Sequence, residues 1–144
     1  MNVAADTNVL ISGVLWFGPA HRALALIMSQ YKLVQSRQTL QEFANVIARP
    51  KFAVMLSSRN IVPATLVEVL IRDAVFYEIS SRIRRSVEQI QISDLGDRPF
   101  LELALESGSR WVVSGDKHLL ELGNIGNVRI IGVGEFITIH SNQG

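Results

Sequence analysis

The chain has 144 residues, 48% of them hydrophobic, with 14 Lys and Arg against 13 Asp and Glu for a net charge of +1, and no cysteine. That length suits one domain, 1–144, large enough to bury roughly 68–70% of its unfolded surface without covalent staples. The lack of cysteine excludes disulfides, thiolate metal sites and a cysteine nucleophile, and the near-neutral balance excludes the uniformly basic surface of many nucleic-acid binders unless the acids cluster in one place. A mean hydropathy of +0.25 leans apolar, which predicts some apolar surface covered by a partner. The opening Met1-Asn2-Val3-Ala4-Ala5-Asp6 lacks the basic segment of a signal peptide, and no apolar run is long enough to span a bilayer. The expectation is a cytoplasmic protein with no membrane partner.

In chain order, Asn2–Ala5 reads as a first strand that ends at Asp6-Thr7-Asn8, a cap for a helix from about Val9. Gly18-Pro19 breaks the chain, and Pro19 suits the first turn of a helix over His21–Ser29. Lys32–Gln35 reads as a second strand and Arg37 to about Ala48 as a helix that Pro50 ends. Pro63 to about Ile79 reads as one long helix, apolar on more than one face. Ser80–Gln91, with Arg82, Arg84 and Arg85, has no clear period. Arg98–Ser107 reads as an apolar helix before Gly108, Trp111–Val113 as a core strand and Lys117–Leu122 as a short helix. Val128–Ile131 is a last strand and Glu135–Ile139 a final helix.

Short apolar strands alternating with helices predict a three-layer α/β/α fold with a central, mostly parallel sheet. Such folds bind ligands beyond the carboxyl ends of their strands, where the strand order reverses. Asp6 and Asp116 each follow a predicted strand end. Acids at separate element ends, with no Cys and no paired His, point to a hard cation such as Mg²⁺ or Mn²⁺. His21, His118 and His140 show no zinc spacing, and Ser114 has no base beside it to make it a nucleophile. Each acid also has a plainer reading. Asp6, Asp97 and Asp116 could be helix caps, Asp94 a loop acid, and the arginine cluster a solvated face or a site for phosphates or an acidic partner. Glu42 points nearly opposite the stripe of Leu40, Phe43, Ala44 and Ile47, so taken alone it belongs on a solvated face.

Four segments, in order, resemble the motifs of PIN-domain ribonucleases. They are Asp6-Thr7-Asn8-Val9-Leu10-Ile11-Ser12, then Leu40-Gln41-Glu42-Phe43 with Val46-Ile47-Ala48-Arg49-Pro50-Lys51-Phe52. The third joins Asp94 and Asp97 to Phe100-Leu101-Glu102-Leu103-Ala104, and the fourth is Val113-Ser114-Gly115-Asp116-Lys117-His118-Leu119-Leu120. The subgroup resembled is that of bacterial PIN proteins described as toxins of toxin–antitoxin pairs. The resemblance implies that Asp6, Glu42, Asp97 and Asp116 bind metal and serve catalysis, with Asn8 and Ser114 supporting them and Asp94 an extra acid. It departs at Gly96-Asp97-Arg98-Pro99, where the subgroup has an acid before the third one and an Asn-Lys pair after it. Both Asp94 and Asp97 precede the helix, and spacing to the Phe100–Ala104 run favours Asp97.

The reading that follows is a Mg²⁺- or Mn²⁺-dependent endoribonuclease acting on single-stranded or looped RNA. Arg98 and Lys117, each beside an acid, are expected to hold the substrate backbone. The resemblance also implies a small antitoxin protein as partner and a homodimer. The rival is a PIN fold that binds RNA or protein without cutting. An α/β response-type or phosphatase domain would also cluster aspartates, but the Glu42 motif disfavours it.

Overall fold

A computed structural model describes residues 1–141. Strands β1 (Asn2–Ala5), β2 (Lys32–Gln35), β3 (Val75–Phe76), β4 (Trp111–Val113), β5 (Asn124–Ile125) and β6 (Val128–Ile131) form one sheet in the order β3-β2-β1-β4-β6-β5. Every neighbouring pair is parallel except β5 and β6. The helices are α1 (Thr7–Leu15), α2 (Pro19–Gln30), α3 (Arg37–Ile47), α4 (Pro50–Ser58), α5 (Pro63–Asp73), α6 (Ser81–Glu88), α7 (Arg98–Ser107), α8 (Lys117–Leu122) and α9 (Val133–Ser141), and a 3₁₀ turn, Leu95–Asp97, precedes α7.

Side chains alternate across a strand, and the core divides accordingly. Val3, Ala5, Leu33, Trp111, Val113 and Ile131 pack on one face against α1 to α5 and α9. Ala4, Val34, Val112 and Ile130 pack on the other against α6, α7 and α8. This is the expected three-layer α/β/α arrangement. β1 is the pivot. The chain moves outward from it through β2 to β3, then returns to its other side as β4. The carboxyl ends of β1 and β4 therefore lie side by side where the strand order reverses.

Two expectations about helices need correction. Pro50 does follow the end of α3, but it also occupies the first turn of α4, where its missing N–H costs nothing. The long helix over Pro63–Ile79 stops at Asp73. Val75-Phe76 are β-branched and aromatic, and they satisfy their backbone by pairing with Val34 and Gln35 as an edge strand. Tyr77 extends the ladder by donating its N–H to the Gln35 carbonyl (2.9 Å). The unassigned Ser80–Gln91 segment contains α6, capped by the Ser80 hydroxyl. The short strand β5 had no clear signal, and α9 is longer at both ends than the expected Glu135–Ile139.

The elements that carry the carboxyl-end loops pack closely. α1 lies against α2 at Gly13, where a Cβ would sit 3.1 Å from the Ala20 carbonyl oxygen and 3.0 Å from Leu24 Cδ2. His21 Nδ1 also meets the Gly13 carbonyl at 2.8 Å. Overpacking such a contact typically costs about 1–3 kcal/mol. Gly13→Val should therefore lower the unfolding free energy by that much, read as a lower urea midpoint with little change in slope. An unchanged midpoint would mean that α1 and α2 separate freely at this point.

Candidate metal centre

The site is built from the ends of β1 and β4. The sheet ladder continues one residue past each strand: Asp6 N–H donates to the Val113 carbonyl (3.0 Å) and Ser114 N–H to the Ile131 carbonyl (3.0 Å). Asp6 caps α1, its Oδ1 accepting the Val9 N–H at 2.9 Å. Its Oδ2 accepts the Ser114 hydroxyl and, at 3.3 Å, the Gly115 N–H. The Ser114 Oγ in turn accepts the Asp116 N–H (2.9 Å). Ser114 is fully buried, so this one hydroxyl ties the two loops together. Burial raises the Asp6 pKa, the hydrogen bonds from Ser114, Val9 and Gly115 oppose that, and the Asp116 charge adds to it.

Asp116 caps α8, accepting the His118 N–H at 2.8 Å. Its plain reading as a cap is thus correct, yet its carboxylate also reaches Asp94 and Asp97. One ligand atom from each of these three residues lies within 4.8 Å of the others. Asp94 caps the 3₁₀ turn through the Gly96 N–H (2.8 Å). The plainer reading of Asp97 as a cap for α7 is not met: its side chain makes no capping hydrogen bond. Only 7% of it is exposed, and its buried Oδ2 has no partner among the described residues. Its pKa is raised to about 6 by burial first, then by the charges of Asp116 and Asp94 and, less, by that of Asp6. A buried carboxylate oxygen without a donor is rare because its desolvation is uncompensated. An all-oxygen set with one unsatisfied member suits a hard divalent cation.

Asp6, Thr7, Asn8, Glu42, Arg49, Asp94, Asp97 and Asp116 are among the residues lining one cleft of about 180 Å³. Glu42 is off the apolar stripe of its helix, as its position in the sequence indicated, but it faces this cleft and is half-buried. Its Oε2 accepts the Thr7 hydroxyl at 2.8 Å, which fixes α3 against the start of α1. Thr7 was not singled out in the sequence, although it follows Asp6 directly. Arg49 was quoted only as part of a motif, yet it is the one cationic residue in the lining. Arg98 and Lys117 are not part of it. Arg98 makes no ion pair among the described residues, and its buried Nε has no hydrogen-bond partner there. Burial raises the pKa of Glu102, and the charges of Arg84 and Arg98 oppose that. The Arg84 Nε to Glu102 Oε2 distance is 3.9 Å.

The PIN domain family model matches residues 2–118, a span that holds every acid of the cleft. The crystal structure of VapBC2 from Rickettsia felis, bound to a DNA fragment from its promoter, superposes with a TM-score of 0.63 at 13% identity, over 92% of this chain and 98% of that one. VapC20 of Mycobacterium tuberculosis, described as a Sarcin-Ricin loop cleaving toxin, superposes with a TM-score of 0.60 at 11% identity, over 88% and 98%. At such identities the likeness is one of fold. No curated protein matches the sequence.

The raised Asp97 pKa has a signed consequence. The folded state binds this proton more tightly than the unfolded state does. The group therefore costs nothing below about pH 4, costs progressively more up to about pH 6, and its full penalty persists above that. Two units correspond to roughly 2–3 kcal/mol. In EDTA at pH 7.5, Asp97→Asn should melt higher than the wild type, and the gap should shrink as the pH falls from about 6 toward 4. Adding Mn²⁺ should raise the wild type more than the variant, because a ligand of the folded state stabilises it by mass action. A variant that melts lower in EDTA and gains as much from Mn²⁺ would make Asp97 a structural residue.

Proposed function

The chain belongs to the PIN-domain family, and we propose that it is a metal-dependent endoribonuclease acting on single-stranded or looped RNA. The observation that carries this reading is the cluster of Asp94, Asp97 and Asp116, one carboxylate oxygen of each within 4.8 Å of the others, with the buried Oδ2 of Asp97 left without a hydrogen-bond donor among the described residues. Asp97, Asp94 and Asp116 would hold Mg²⁺ or Mn²⁺, with Asp6 and Glu42 completing the acidic wall directly or through water. A divalent ion bound there supplies acidification of the attacking water and stabilisation of charge on phosphorus.

The protein's own contribution is position. Asp6 cannot swing away, because three donors hold its two oxygens. Ser114 sets Asp6 and the backbone of Asp116 in one register. Thr7 holds Glu42 at the cleft, and Asn8 lines the same wall. We assign the substrate-backbone contact nearest the acids to Arg49, because it lines the cleft and Arg98 and Lys117 do not. A guanidinium can bind a phosphate through two parallel N–H donors, so Arg49 can hold an RNA phosphate against an acidic wall that would otherwise repel it.

We read residues 1–144 as one domain and the chain as the toxin of a toxin–antitoxin pair, supported by the fold shared with VapBC2 and VapC20. A small antitoxin and a second copy of the chain are the proposed partners. The exposed Phe17 (94%) and Val54 (72%) offer apolar surface for them. No single described helix is long and apolar enough to cross a membrane, and the cytoplasm is the proposed compartment.

The test is cleavage. Purified protein should cut single-stranded RNA with Mg²⁺ or Mn²⁺ and stop in EDTA. Asp6→Asn should lose at least about tenfold in rate, or roughly 1.4 kcal/mol of barrier. Arg49→Gln should weaken RNA binding and flatten its salt dependence by about 0.7 for the lost contact. If Asp6→Asn cuts as fast as wild type across a Mn²⁺ titration, the activity does not come from this site. An RNA-binding module without catalysis would bind in EDTA and cut under no condition.

A further inference from the structure

A second cavity, about 600 Å³ in volume, opens at the same end of the sheet, beyond β2 and β3. Among the residues that line it are Arg37 and Gln38 from the first turn of α3, Phe76, Tyr77 and Glu78 from the end of β3, and Arg84 from α6. Phe76 is 41% exposed, and Tyr77 is anchored by the Asn2 side-chain amide, which donates to its hydroxyl at 2.9 Å. Arg37 makes no ion pair among the described residues, and Arg84 only the long one with Glu102, which leaves half of its side chain exposed. Arg82 and Arg85 stand beside it on α6. Glu78 is the one acid in the lining.

This cavity and the acidic cleft are both lined by α3, through different residues. Gln38 and Glu42 are four residues apart on α3, on one face of the helix and about 6 Å apart along its axis. Gln38 lines the second cavity, and Glu42, Val46 and Arg49 line the cleft further along. A strand lying across the top of α3 therefore runs from one to the other. The volume falls within the range of small-ligand pockets, roughly 300–1,000 Å³. An exposed ring flanked by unoccupied guanidinium groups is the usual platform for an unpaired base and its phosphates.

We propose that this cavity receives an unpaired nucleotide of the RNA that flanks the phosphate held in the acidic cleft, the base against Phe76 and the backbone against Arg37 and Arg84. The proposal deepens the nuclease reading and rests on it. An acidic protein segment would also suit the arginines, but it would leave Phe76 without a stacking partner.

Binding read without catalysis tests it. The affinity of the full chain for a labelled single-stranded RNA is measured by fluorescence anisotropy in EDTA, over a salt series. Arg37→Gln/Arg84→Gln should bind at least about tenfold more weakly, with the salt slope flatter by about 1.4, or 0.7 per lost contact. Phe76→Ala should lose about tenfold, the equivalent of about 1.4 kcal/mol of stacking. Glu78→Gln should bind tighter. Each variant is checked by its melt, and Arg37→Gln alone carries the arginine arm if loss of Arg84 unfolds the chain. Unchanged affinity and slope in all of them overturn the proposal. So does a double variant that loses a polyglutamate peptide as strongly as RNA while Phe76→Ala binds RNA normally, which would mark a protein dock. A chain that binds through this cavity but cuts nothing with Mn²⁺ supports the subsite and overturns the nuclease reading. A chain that cuts RNA and is indifferent to every variant overturns the subsite alone.

Discussion

Asp94, Asp97 and Asp116 repel one another, and the fold holds them together regardless. Two charges about 5 Å apart at an effective dielectric near 20 repel by about 3 kcal/mol. The opposing force comes from outside the site. Leu101, Leu103 and Ala104 fix α7 against the sheet, all essentially inaccessible, and Pro99 stiffens its first turn. Asp116 is pinned from both sides by the His118 and Ser114 contacts. Apolar burial on both faces of the sheet keeps the loops at the ends of β1 and β4 from relaxing apart. The acid cluster is thus a local cost carried by the whole core, the usual arrangement for strain at functional sites.

The same segregation explains a net charge that reads as uninformative. Five acids line one small cleft, so the rest of the surface is well on the basic side. A chain near neutrality then holds an acidic cleft and an arginine-lined cavity within one helix length. α3 joins them, its first turn at the arginine-lined cavity and its later turns at the acids. Glu102 belongs to neither. The charges of Arg84 and Arg98 act on it, and Arg49 is the cation that lines the cleft.

What the sequence revealed depended on how local each signal was. Asp6 and Asp116 follow short apolar strands directly, and strand ends at a reversal of order are where such folds place chemistry. Those two, and the layers, were legible. Glu42 was half legible: its helical phase set it off the apolar stripe, but phase alone does not separate solvent from a cleft. The end of α5 at Asp73 was hidden because no Gly or Pro stands there, and Val75-Phe76 continue its apolar run. Only pairing with β2, a contact across about forty residues, turns that run into a strand. The second cavity was invisible for the same reason, since Phe76 of β3 and the three residues after it supply half of its lining. Adjacency to Asp97 does not bring Arg98 into the cleft lining, because neighbours on a helix point to different sides.

The place where the sequence departs from the PIN pattern is also where the structure is most informative. Gly96 stands where the resembled subgroup has an acid before its third one. A Cβ at that position would lie 3.2 Å from Asp94 Oδ1, the atom that accepts the Gly96 N–H. A larger residue there would press on Asp94 and disturb the 3₁₀ turn it caps. With glycine the turn closes, and Asp97 takes a helical conformation (φ −81°, ψ −17°) at its end. A capping residue needs an extended backbone to bring its side chain over the free N–H groups, so Asp97 cannot serve as one. Asp94 takes the capping hydrogen bond and Asp97 keeps a free oxygen. Asp94 and Asp97 thus do different work in the fold: one acid caps the turn at the rim, and the other, buried and without a partner for its Oδ2 among the described residues, lines the cleft.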